Sequence, residues 1–193
     1  MDARYIERIV RHAGYMLAES LWDYWPTVGN NDISERNISL YLSISFHEKG
    51  FKCFAEGHWK NSTDKRIDFF AIDPNSRMAI CAECKRLYSA EKCNEMVEDY
   101  YRIKSFMPLD LGGKSFPKYG ILAATTMRQE IVDWWASLGS NNKPSEDKSW
   151  DNLYKSLKNG YWGCVPLNSY DEETSLSVNQ KEKHYLLYII FEI

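Results

Sequence analysis

The sequence predicts an α/β fold: a three-layer αβα sandwich with a mixed central sheet and helices on both faces. Three observations predict it. Apolar residues recur at helical spacing over residues 3–24, again from about residue 34, and over 90–106. Three short runs of strand-forming residues follow one another between the second and third of these segments. A continuous apolar run, Tyr119 to Thr125, then reads as a buried parallel strand. At 193 residues the chain is long enough for one domain with its own core, expected over about 33–138. Residues 3–24 and 140–193 are expected to elaborate it.

In residues 3–24, Ile6, Ile9, Val10, Ala13, Met16, Leu17 and Leu21 form one apolar stripe, and Pro26 with Gly29-Asn30-Asn31 ends the helix. Packing within the chain and dimerisation are both open to it. The second helix begins at Asp32 or Ser34 as N-cap, presents Ile38, Tyr41, Leu42, Ser45 and Phe46, and stops at Gly50. Strands are expected at Phe51–Glu56, Arg66–Ile72 and Met78–Lys85. The turns between them are Asn61-Ser62-Thr63-Asp64 and Asp73-Pro74-Asn75-Ser76, and connections this short imply an antiparallel meander. After the helix at 90–106 and the strand at 119–125 comes a helix from Arg128 to Leu138. A polar loop from Gly139 to Ser149 and a strand from His184 to Ile193 complete the order.

Hydrophobic residues make up 44% of the chain and charged residues 26%, the composition expected of an ordinary soluble globular protein. No apolar stretch reaches the ~18 residues a membrane span requires, and Met1-Asp2-Ala3-Arg4 opens no signal-peptide run. A cytoplasmic protein with no membrane contact is the expectation. The 5 cysteines are scattered and odd in number, as reduced thiols would be. A net charge of −3 argues against a broad basic surface for nucleic acid, although a bound cation would reverse the sign of an acidic site.

The chemistry concentrates in Ala79-Ile80-Cys81-Ala82-Glu83-Cys84-Lys85. Strand residues two apart share a face, so Ala79, Cys81, Glu83 and Lys85 point one way and Ile80, Ala82 and Cys84 the other. An acid and a lysine at the end of a buried strand require partners. Asp68 is a lone acid at the start of the preceding apolar run, and a hairpin through Pro74 would bring it beside Glu83. Two carboxylates on neighbouring strands suit Mg²⁺ or Mn²⁺. Lys85 could then orient or deprotonate a water, or stabilise charge on a phosphate. The structural alternative is a buried Asp–Lys–Glu ion network, or strand-end charges reaching solvent. The acid on the preceding strand, with its tight turn, favours the metal.

Asp68 followed across a hairpin by Glu83-Cys84-Lys85 resembles the PD-(D/E)xK signature of the restriction-endonuclease-like nuclease superfamily. The resemblance covers about residues 33–126. It implies a Mg²⁺- or Mn²⁺-dependent endonuclease acting on nucleic acid, DNA in the first instance, with a homodimer as a common arrangement. Asp68 and Glu83 would be metal ligands joined by the backbone carbonyl of Cys84, and Lys85 the catalytic lysine. A glutamate early in the first core helix is also implied, and Glu35 falls there; equally, a first-turn Glu complements the helix dipole. Ile67 stands where the motif's name has proline, and the helix after Lys85 lacks the glutamine-to-tyrosine pairing of the exonuclease-type branch. A rival reading keeps the fold and drops the turnover, leaving a binding or assembly module.

Other features are weaker. On a strand, Cys81 and Cys84 face opposite sides and do not form a zinc knuckle. Glu56 could be an extra metal-side carboxylate but reads first as an ordinary strand-end acid. Lys65, Arg66, Arg86 and Lys92 could hold phosphates, although strand-end charges are usually just solvated. Trp134-Trp135 reads as core and interface. Gly112-Gly113-Lys114-Ser115 lacks the upstream glycine of a phosphate loop.

Overall fold

In α1 (Ala3–Asp23), Asp2 is the N-cap, its carboxylate accepting the Tyr5 N–H at 3.1 Å. The computed structural model describes residues 2–24, 33–59, 62–75, 78–105, 118–137, 143–167 and 183–193, without the side chains of 58, 59, 62–65 and 118. Pro26, the Gly29–Asn31 stop, Asp32 as a cap and the Gly112–Ser115 loop fall outside the described residues. The buried stripe of α1 runs through Ile6, Ile9, Val10, Ala13, Leu17 and Leu21, and packs within the chain on α2 (Glu35–Glu48). Ser45 donates to the Ile9 carbonyl at 2.8 Å and ties the two helices together. The α2 helix starts after Ser34 and gives way to Gly50, whose φ of 88° suits a residue without Cβ.

Six strands form one mixed sheet: β1 (Lys52–Trp59), β2 (Ser62–Asp73), β3 (Met78–Arg86), β4 (Lys118–Thr126), β5 (Tyr161–Pro166) and β6 (Tyr185–Glu192). Their order across the sheet is β1-β2-β3-β4-β6-β5. The first three form the expected antiparallel meander, and β4 runs parallel to β3 after the crossover helix α3 (Ala90–Ser105). At the β2–β3 turn, expected at Asp73-Pro74-Asn75-Ser76, Asp73 accepts the Asn75 N–H at 2.9 Å in an Asx geometry.

The first two strands are longer than the sequence suggests. β1 continues beyond Glu56 to Trp59, and Ser62 to Asp64 belong to β2 rather than to a turn. Two elements of the last third lie where no regular structure was expected. These are α5 (Lys148–Leu157), whose N-cap Asp147 accepts the Ser149 N–H at 2.8 Å, and the edge strand β5. Residues 139–149 are therefore not loop throughout.

Helices cover both faces. α1 and α2 pack on one face, against Phe69, Ala71, Ile80, Ala82, Cys84 and Ile121 among others. The other face carries α3, α4 (Gln129–Ala136) and α5 over Ala79, Cys81, Leu122, Ala124, Leu187 and Ile189. Trp134 and Trp135 are core residues: Trp134 meets Trp150 edge-on at 5.2 Å, and Trp135 meets Trp162 at 4.5 Å. Gly120 on β4 is a close-approach site. A Cβ there would lie 2.3 Å from Phe191 and 2.8 Å from Ile103 of α3, so its absence lets α3 settle onto the sheet. Among the described residues no helix is long and apolar enough to cross a membrane.

Candidate metal centre

The β2–β3 ladder stops short of its chemistry. Its last pair is Phe69 with Ala82, and the register carried onward would set Asp68 opposite Glu83 and Ile67 opposite Cys84. Cys84 instead gives its N–H to the Asp68 carboxylate at 2.8 Å. Two residues further on, the Arg86 N–H reaches the Glu35 carboxylate at 3.3 Å. The Leu87 N–H bonds to the Thr125 carbonyl of β4, so by strand alternation the Cys84 and Arg86 amides face the β2 side. Where β2 leaves β3, Asp68 and Glu35 therefore stand in for ladder acceptors, at points about 7 Å apart along β3.

The departure of β2 has a visible cause. Phe69 and Ala71 pack on the α1–α2 side, but Ile67 joins Phe70 on the α3 side, so strict alternation breaks around Asp68. Opposite this point in β1, Glu56 has a φ of 52°, the only non-glycine residue in that region among those described. Backbone strain of this kind persists where the surroundings enforce it. Glu56 is thus a mid-strand residue rather than a strand-end acid. Its carboxylate pairs with exposed Arg66 at 2.6 Å.

The predicted faces of β3 hold. Ile80, Ala82 and Cys84 enter one core, Ala79 and Cys81 the other, so the two thiols of Cys81-x-x-Cys84 point apart. Glu83 is 2% exposed and shares a side-chain hydrogen bond with Asp68. Burial, then Asp68 and Asp99, push its pKa up to about 9 against the pull of Arg102. Burial also opposes the charge on Lys85, yet Asp99, Glu35 and Asp68 outweigh it and lift its pKa above the usual amine value. Cys84 is fully buried; burial first and Asp68 next hold its thiol well above the usual range. Its side chain is no ligand, whereas its backbone carbonyl shares the β2 side with its N–H.

Two residues that sequence reasoning missed complete the cluster, Asp99 and Arg102 of α3. The Arg102 Nε lies 2.9 Å from Glu83 Oε1, Arg102 also contacts Asp99, and Asp99 Oδ2 lies 3.3 Å from Lys85 Nζ. The result is a chain Glu83–Arg102–Asp99–Lys85 beside Asp68. Despite these distances, Glu83 Oε1, Asp99 Oδ2 and Arg102 Nε have no aligned hydrogen bond. A sequence signal for Asp99 did exist. It sits among Cys93, Met96 and Ile103 on the buried stripe of α3, an acid where an apolar residue is the rule.

Asp68 and Glu35 also line a cleft of about 580 Å³ between α2 and the β1–β2 hairpin, with Arg36, Ser39, Ser43 and Glu56. Of the flanking charges, Lys92 pairs with Glu95 at 2.6 Å, and the Lys65 side chain falls outside the described residues. Among the described residues no three His, Cys, Asp or Glu side chains converge to hold a metal ion in the arrangement seen. The cluster still fits a dication of the Mg²⁺ type. Such an ion takes one or two carboxylates and keeps several waters, and Asp68 and Glu83 are adjacent, with a buried Glu83 oxygen lacking an aligned donor.

Fold and site together define an α/β protein with a buried acidic cluster at the seam between an antiparallel hairpin and a parallel strand. Comparison with protein-family models, curated proteins and solved structures returned no match.

Proposed function

We propose that the chain is a metal-dependent nuclease with a restriction-endonuclease-like core, hydrolysing phosphodiester bonds of DNA. The observation that carries this reading is the meeting of Asp68 and Glu83 where β2 and β3 part, with Lys85 on the Glu83 face. Asp68, Glu83 and the Cys84 carbonyl would hold Mg²⁺ or Mn²⁺. The ion, when bound, supplies a Lewis acid and a water of lowered pKa. Lys85, kept protonated by its acidic neighbours, acts as an ammonium that positions the water and stabilises charge on the phosphoryl oxygens, rather than as a base. Glu35 completes the acidic wall of the cleft, and Arg36 lines the same cleft.

The test is cleavage of plasmid and short duplex DNA with Mg²⁺ or Mn²⁺, by wild type and by Asp68→Asn, Glu83→Gln and Lys85→Ala. Cleavage that requires metal and is lost in all three variants supports the centre. Cleavage that survives in Asp68→Asn and Lys85→Ala rules it out.

One observation favours a second reading, a nuclease-type fold used for binding without turnover. Glu83 and Lys85 both have oppositely charged partners on α3, so the cluster's ion pairs need no ligand. Mobility shift of nucleic acid with no cleavage under any metal would select it.

A further inference from the structure

The cation that now lies on Glu83 is Arg102, and a dication would need the same carboxylate. We propose that Arg102 is the resident counter-ion of this centre and that metal loads by exchange, the guanidinium leaving Glu83 as the ion takes its place. This rests on the metal-dependent reading above.

Exposure makes the exchange feasible. Glu83 is fixed inside the sheet at 2% exposure, whereas the Arg102 side chain is 37% exposed and can withdraw toward solvent. The contact is also close without being well formed. Nε stands 2.9 Å from Oε1, yet neither atom makes an aligned hydrogen bond, unlike a bidentate fork. Arg102 has a second anchor in Asp99, three residues earlier on α3, so leaving Glu83 does not leave the guanidinium unpaired. Lys85 stays on Asp99 throughout.

Charge points the same way: Arg102 and a dication would compete for the one Glu83 carboxylate, and each can supply the positive partner that a buried carboxylate requires.

Mn²⁺ binding to the full chain, measured by calorimetry and by the loss of the free-ion electron-spin signal, tests this. Arg102→Gln is expected to bind Mn²⁺ roughly 5- to 150-fold more tightly than wild type, the usual range for coupled sites. Arg102→Lys, which keeps the competing charge, is expected to stay near wild type. Equal affinity in wild type and Arg102→Gln overturns the exchange but leaves the metal centre standing. No Mn²⁺ binding to either protein overturns the metal reading, and this one with it. A readout that needs no variant to fold is the Arg102 Nε–H signal in wild type, observed by nitrogen-15 magnetic resonance. It is expected to shift and lose protection from solvent on saturation with Mg²⁺. A signal unmoved by bound Mg²⁺ overturns the exchange.

Discussion

The Asp68 carboxylate accepts the backbone N–H of Cys84 at 2.8 Å, at the position where the β2–β3 register would have placed Ile67. One side chain thus both ends a ladder and sets a carboxylate beside Glu83. The two roles separate experimentally. Asp68→Asn keeps an acceptor for Cys84 and is expected to shift stability by no more than about 1 kcal/mol. Its metal-dependent cleavage is expected to fall about 100- to 1,000-fold. Urea denaturation and a plasmid assay on the same preparation measure both.

Asp99 is 3% exposed and lies between Lys85 and Arg102. Removing it leaves two cations crowded at a buried site with one fewer acid. Asp99→Ala is expected to lower stability by about 3–5 kcal/mol, as when one partner of a buried pair is deleted. A cycle pairing it with Lys85→Met is expected to recover part of that loss. Additive losses in chemical denaturation would remove Asp99–Lys85 from the stabilising network.

Glu83 confers a pH dependence of definite sign on the metal-free protein. Its pKa stands near 9 in the folded chain against 4.5 as the ordinary value, raised by burial and by Asp68 and Asp99, and opposed by Arg102. The folded state therefore holds a proton that the unfolded state releases over that interval. This contribution is fully present below about pH 4.5 and is lost as pH rises through about 9. In EDTA, the denaturation midpoint is expected to fall from pH 5 to 9, and Glu83→Gln, which cannot ionise, to flatten the slope. Saturating Mn²⁺ is expected to release protons on binding and flatten it too. Parallel slopes for wild type and Glu83→Gln would exclude Glu83 as the source.

Gly120 couples the sheet to the helix that bears Asp99 and Arg102. A methyl group there would meet Phe191 at 2.3 Å and Ile103 at 2.8 Å. Gly120→Ala is expected to cost about 1–3 kcal/mol through overpacking. By lifting α3 it is also expected to weaken Mn²⁺ binding. A thermal melt and a metal titration check the two effects.

Much of this molecule was readable along the chain. The helical stripes of α1, α2 and α3, the turn at Asp73-Pro74, and the alternation that puts Glu83 and Lys85 on one face of β3 all arise from neighbours a few residues apart. Asp68 beside Glu83 followed from one short hairpin. The edge strand β5 was not readable. It is half exposed, carries Gly163 and Pro166, and gains its order from pairing with β6 and from Trp162 packing on Trp135. Nor did local pattern reveal that Arg102 would occupy Glu83. That contact spans a strand and a helix joined through a crossover, and it exists because Gly120 admits α3 close to the sheet. Strand period and turn chemistry act locally and so leave a trace in the order of residues. The counter-charge of a buried acid depends on which distant side chain the packing delivers.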